Sequence, residues 1–191
     1  GYVGQRMVHE CRVRSVEDTV NIRTTNSAPL ANAGADQSGI VGALVTLDGS
    51  TSSDVDGDAL TYSWSLTTTP LGSTAALTNT TAINPSFTID VAGDYVAQLI
   101  VHDGTIGSVT DTVNISTTNS APVANAGADQ SGIVGALITL DGSASNDVDG
   151  DALTYSWSLT TTPLGSTATL TNTTAINPSF TIDVAADYVA Q

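Results

Sequence analysis

The chain repeats itself at a spacing of 93 residues, and that repeat limits the fold more than any other feature. Laying residues 28–98 over 121–191 gives 71 pairs, of which 65 are identical. The differences are Leu30/Val123, Val45/Ile138, Thr51/Ala144, Ser53/Asn146, Ala76/Thr169 and Gly93/Ala186. All six are small, which points to recent duplication. Residues 1–27 lie over 94–120 with 16 identities, among them Tyr2/Tyr95, His9/His102 and Asp18-Thr-Val-Asn-Ile22 over Asp111-Thr-Val-Asn-Ile115. The predicted organisation is therefore the last two strands of a preceding repeat (1–27), a complete repeat (28–120) and a repeat stopping before its last strands (121–191). A unit of this length is the usual size of a β-sandwich domain.

Within the unit, alternation is common and sustained helical spacing is absent. Leu60-Thr-Tyr-Ser-Trp-Ser-Leu66 sets Leu60, Tyr62, Trp64 and Leu66 on one face and Thr61, Ser63 and Ser65 on the other. Residues 95–101 read as a more continuously apolar, central strand. Residues 109–115, 44–48 and 86–90 supply further strands, and residues 31–33 with 37–41 a split first strand. Glycines punctuate them as turns. About seven short strands with regular turns predict an all-β fold of tandem antiparallel sandwiches. Trp64, third in an apolar row, reads as a core residue rather than a sugar-stacking platform. Tyr95 opens the next-to-last strand, where a tyrosine commonly bonds back to loop backbone.

Charge excludes several functions. The chain carries 19 acidic and 4 basic residues, for a net charge of −15, and contains no lysine. Arg6, Arg12, Arg14 and Arg23 all precede Thr24. Nucleic-acid binding needs clustered Lys and Arg to displace counterions, and attachment to anionic lipid needs a polybasic segment. Neither exists. No apolar run approaches the roughly 20 residues that span a bilayer, so membrane insertion is not expected. No secretion-signal pattern begins the sequence. Cys11 is the only cysteine, so no disulfide frames the fold. Lysine-free, Thr-rich composition favours an extracellular or cell-surface location. Asn79, Asn114 and Asn172 stand in N-x-S/T sequences, which arise easily in a Thr-rich chain.

The carboxylates are the informative polar group. Asp54-Val-Asp-Gly-Asp58 places three acids in five residues, and Asp147-Val-Asp-Gly-Asp151 repeats them. Two such charges about 5 Å apart repel by roughly 3 kcal/mol at an effective dielectric of 20. Solvent, salt or a bound ion relieves that. Ca²⁺ suits an oxygen-rich site of flexible geometry. A solvated Asp-Gly turn accounts for the same residues. The spacing is not that of an EF-hand, because Gly57 comes fourth rather than sixth. No nucleophile–base arrangement accompanies His102, and a solvated turn lacks an apolar pocket to separate carboxyl pKa values, so no catalytic residue is assigned.

Several motifs occur in order across the period: Ala28-Pro-Leu-Ala-Asn-Ala-Gly-Ala-Asp-Gln37, Val45-Thr-Leu-Asp-Gly-Ser50, Ser53-Asp-Val-Asp-Gly-Asp-Ala-Leu-Thr-Tyr-Ser-Trp64, Pro85-Ser-Phe-Thr88, Ala92-Gly-Asp-Tyr95 and Val101-His-Asp-Gly104. Together they resemble PKD domains, Ig-like sandwiches of extracellular proteins. In that family the acidic turn, an Asn near the domain start and the Asp of the late V-x-D-G turn often meet at one end, and some members bind Ca²⁺ there. The resemblance implies Asn32, Asp54, Asp56, Asp58 and Asp103 as metal ligands, and Asn125, Asp147, Asp149 and Asp151 in the next repeat. The first partial repeat has Glu10-Cys11 in place of Asp103-Gly104.

The functional expectation is a non-catalytic rod of repeats, a stalk of a surface adhesin or extracellular fibre, stiffened by calcium and partnered by neighbouring repeats. Two others stand beside it. One is a filament subunit joined head to tail with identical chains by strand complementation. The other is an accessory module of a secreted hydrolase, binding polysaccharide or protein, which requires a row of exposed aromatics.

Overall fold

The computed structural model describes residues 20–191. Most of residues 1–27, including Tyr2, His9 and Cys11, thus lies outside the described residues.

The complete repeat builds two facing sheets. The larger contains β1 (Gln37–Gly39), β6 (Asp111–Thr117), β5 (Asp94–His102) and β3 (Thr61–Thr68), in that order. β5 runs antiparallel to both neighbours, with Trp64 opposite Leu99 and Val113 opposite Ala97. The apolar run predicted for a central strand therefore lies between two partners. β1 pairs parallel with β6, Gln37 opposite Ile115. The second sheet pairs β2 (Leu44–Thr46) antiparallel with β4 (Ser86–Thr88). The isolated bridge Thr78–Ser86 extends it, and Leu30 bridges Ser53.

Burial follows the alternation. In β3, Trp64 is buried and Tyr62 and Leu66 half-buried, while Thr61, Ser63 and Ser65 face water. β5 buries Tyr95, Ala97, Leu99 and Val101. These meet Val45, Leu47, Phe87 and Ile89 from the opposite sheet and Val113 and Ile115 from β6. The interior is closed by aliphatic and aromatic carbon, whose removal from water is the main favourable term in folding. One expectation shifts: Val109 is exposed, and the last strand begins at Asp111 instead. Asp111 spends its side chain on the Ala33 N–H, 2.8 Å away.

The repeat at 121–191 forms β7 (Leu137–Thr139) with β9 (Ser179–Thr181), and β8 (Leu159–Thr161) with β10 (Val189–Ala190). Trp157, Phe180 and Ile182 are buried, as are their counterparts in the first unit. Gln130-Ser-Gly132 has the sequence of β1 yet forms no strand. β1 exists because β6 pairs with it, and no strand occupies that position here.

Candidate metal centre

Each acidic turn is organised by its first aspartate. Asp54 Oδ1 accepts the N–H groups of Asp56 (2.8 Å) and Asp58 (3.3 Å). Gly57 completes the turn at φ +83°, a left-handed conformation that a side chain disfavours. In the next repeat Asp147 Oδ1 accepts from Asp149 (2.8 Å) and Asp151 (3.4 Å). Main-chain N–H groups thus satisfy one oxygen of each leading aspartate. Asp58 is exposed, and its N–H rather than its carboxylate is tied into the turn.

Asp103 joins this turn through the segment that leads into the repeat. Its side chain is fully covered, although its main chain remains accessible. Oδ1 accepts the N–H groups of Thr105 and Ile106, both at 2.7 Å, and Oδ2 accepts Asn26 Nδ2 at 2.7 Å. The adjacent Ser27 N–H donates to Asp56 Oδ2 at 2.6 Å. The donors, Ile106 N–H and Asn26 foremost, hold the Asp103 carboxyl down at about 2. His102 contributes least to this: its Nδ1 lies 3.9 Å from Asp103 and accepts the Gly104 N–H at 2.9 Å.

Asn26 hydrogen-bonds Asp103 at the acidic end, whereas the hydrogen bonds of Asn32 go elsewhere. Asn32 Oδ1 accepts the Gly34 N–H at 2.9 Å, and its own N–H donates to Ser52 Oγ. Asn125 makes the equivalent bonds to Gly127 and Ser145. In the second repeat the Ser120 N–H donates to Asp149 Oδ2, as Ser27 does to Asp56. Asn26, Ser27, Asn119 and Ser120 were missed in the sequence. The available signal was Thr-Thr-Asn-Ser-Ala-Pro, present at 24–29 and again at 117–122.

Among the described residues no three His, Cys, Asp or Glu side chains gather closely enough to hold a metal by themselves. Some oxygens nevertheless lack partners. Asp54 Oδ2, Asp149 Oδ1 and Ser120 Oγ are buried without a hydrogen bond. A buried, unpartnered carboxylate oxygen is costly, and a hard cation or an ordered water satisfies it. The donors at these turns are carboxylate, amide, hydroxyl and main-chain oxygens, a set whose chemistry fits calcium and offers nothing to a soft metal.

The paired sheets and this end-on acidic turn define a tandem array of Ig-like sandwiches. Residues 33–117 match the family model described as K319L-like, PKD domain, and residues 119–175 match the PKD domain model. The chain belongs to the PKD-domain family and carries its domains in tandem. Such domains are typically non-catalytic and usually occur in extracellular proteins. No helix among the described residues is long and apolar enough to cross a membrane.

Among solved structures, the PKD domain from the KIAA 1837 protein is 29% identical, over 52% of this chain and 97% of that one, with a TM-score of 0.41. A nucleoside hydrolase-related hypothetical protein from Saccharophagus degradans, associated with carbohydrate metabolism, is 25% identical with a TM-score of 0.43. That match covers 49% of this chain and 26% of the other, so the chain spans about a quarter of that protein's length. Human protocadherin-24 EC1-2 is 17% identical over 84% of this chain and 79% of that one, with a TM-score of 0.43. No curated protein matches the chain in sequence.

Proposed function

We propose that the chain is a structural spacer of an extracellular adhesion-type protein, in which PKD domains set end to end supply length and calcium stiffens each junction. The reading rests on one observation above others: the segment leading into each repeat is bound by that repeat's own acidic turn. Ser27 N–H meets Asp56, and 93 residues later Ser120 N–H meets Asp149. A junction held this way behaves less like a free linker, and the segment at 117–122 contains Pro122 and no glycine. The proposed calcium donors in the first repeat are Asp54 and Asp56 with oxygens of the Asn26–Ser27 segment, which Asp103 holds in place through Asn26. Asp147, Asp149 and the Asn119–Ser120 segment serve in the second. Bound there, calcium supplies positive charge among carboxylates that have no lysine or arginine near them in sequence.

A ligand that binds only the folded state stabilises by RT ln(1 + [L]/Kd), about 2.7 kcal/mol at a hundredfold excess over Kd. The thermal midpoint is therefore expected to rise in millimolar CaCl₂ and to fall back with EDTA. An unchanged midpoint removes calcium from the account and leaves the spacer. The hydrolase-accessory reading is not carried forward: Trp64, Trp157, Phe87 and Phe180 are all buried, so they offer no stacking row.

A further inference from the structure

The segment between the two repeats is bound from both sides. Thr117 ends β6 and exchanges two bonds with Gly93. The Thr117 N–H donates to the Gly93 carbonyl at 3.2 Å, and Thr117 Oγ1 accepts the Gly93 N–H at 2.8 Å. One residue on, the Thr118 N–H donates to the Gly39 carbonyl at 2.8 Å, which carries the β1–β6 pairing one step past the strand. Thr118 is therefore tied to the complete repeat. Ser120 is tied to the next one, because its N–H donates to Asp149 Oδ2. Asn119 alone lies between these two anchors, and its side-chain amide donates to the Ser120 carbonyl at 3.2 Å.

So short an interval leaves little room for movement. Consecutive Cα atoms are about 3.8 Å apart, so Thr118 and Ser120 are at most about 7 Å from each other. A flexible linker spreads its ends over roughly 5–6 Å times the square root of its length. One residue instead brings two soft dihedrals. Asn119 is not a glycine, so most combinations of those two angles are closed to it by steric clash.

We propose that Asn119 is a one-residue hinge, and that the main-chain anchors at Thr118 and Ser120 set the orientation of successive repeats without any ion. The proposal rests on the end-to-end spacer reading but not on calcium. The downstream anchor recurs one period earlier, where the Ser27 N–H donates to Asp56 and the same Thr-Thr-Asn-Ser sequence leads into the repeat. The pitch of such an array is then written into residues 117–120, not into contacts between the faces of neighbouring domains.

Double electron–electron resonance between two spin labels reads the hinge directly. Thr51→Cys and Ala144→Cys carry the labels in a Cys11→Ser background. Both positions are exposed counterparts that already differ between the repeats. In EDTA a single narrow distance distribution is expected. Inserting Gly-Gly between Asn119 and Ser120 keeps both anchors, lengthens the hinge to three residues and is expected to broaden the distribution about twofold. Asp149→Ala removes the downstream acceptor and is expected to broaden it as well. The thermal transition of the complete repeat, which does not contain Asp149, is expected to stay unchanged. A parent distribution as broad as that of the insertion variant overturns the proposal, and so does an Asp149→Ala distribution as narrow as the parent's. Millimolar CaCl₂ added afterwards bears on the calcium reading alone, since the hinge is judged in EDTA.

Discussion

The Tyr95 hydroxyl lies 2.9 Å from Asp90 Oδ1 and 2.8 Å from the Val91 carbonyl, while accepting the Val91 N–H at 3.1 Å. Asp90 in turn accepts from Ser73 Oγ and from Thr74 N–H, both at 2.6 Å. A single phenol and a single carboxylate thus bind the loop after β3 to the start of β5. Asp183 and Tyr188 repeat the arrangement. The Tyr95 ring also packs on Phe87 at 5.2 Å between centroids.

Tyr95→Phe keeps the ring and deletes the hydroxyl. The Val91 N–H then loses its acceptor in a part-buried position. A cost of about 1–3 kcal/mol is expected for a polar group left unmade. Urea unfolding measures it as a lower midpoint with unchanged slope, and an unchanged midpoint contradicts the role given to the hydroxyl.

Acid sensitivity follows from the same carboxylates. Ser73, Thr74 and Tyr95 hold Asp90 far below the ordinary 3.8, and Ser166, Tyr188 and Thr167 do the same for Asp183. Asp103 is held at about 2. A depressed folded-state pKa contributes stability that is present above the unfolded value and lost as pH falls through the folded one. Stability from these groups is therefore flat from neutral pH down to about 5 and then declines, to about 2 for Asp103 and further still for Asp90 and Asp183. Thermal melts at stepped pH check this; a decline already under way near pH 6 points to other groups.

Gly93 and Ala186 differ between the repeats, and the backbone differs with them. Gly93 adopts φ +140°, and a Cβ there lies 2.8 Å from Pro70 Cγ. Ala186 does not share the positive φ. Gly93→Ala is expected to destabilise the complete repeat by about 1–3 kcal/mol, through strain and the clash with Pro70. Ala186→Gly is expected to change little. Denaturant midpoints of the two variants compare them directly; equal effects contradict the argument.

Much of this architecture was legible because alternation is a local property. The sequence of residues 60–66 alone separates Trp64 and Tyr62 from Ser63 and Ser65, and the two faces follow. Gln37-Ser-Gly39 and Gln130-Ser-Gly132 show where local reading stops. Identical residues form a strand in one repeat and none in the other, because pairing with residues 115–117 decides it. The acidic turn was visible as three aspartates in five residues. Its partners were not: Asn26 meets Asp103 across 77 positions, and Ser27 meets Asp56 across 29. Asn32 attracted the assignment because it sits in a recognisable motif, yet its amide oxygen serves the turn at Gly34.

That distinction between the two asparagines is itself testable. Asn26 Nδ2 is 2.7 Å from Asp103 Oδ2, at the acidic end proposed to hold calcium, whereas Asn32 Oδ1 caps Gly34. Asn26→Ala is expected to shrink the calcium-induced rise in thermal midpoint. It is also expected to lower the midpoint without calcium slightly, by less than about 1.5 kcal/mol for an exposed hydrogen bond. Asn32→Ala is expected to lower the midpoint equally with and without calcium, because it removes a turn contact and no ligand. Paired melts in EDTA and in millimolar CaCl₂ decide between them. If Asn32→Ala abolishes the calcium response and Asn26→Ala does not, the metal belongs with the motif asparagine and the acidic end is misassigned.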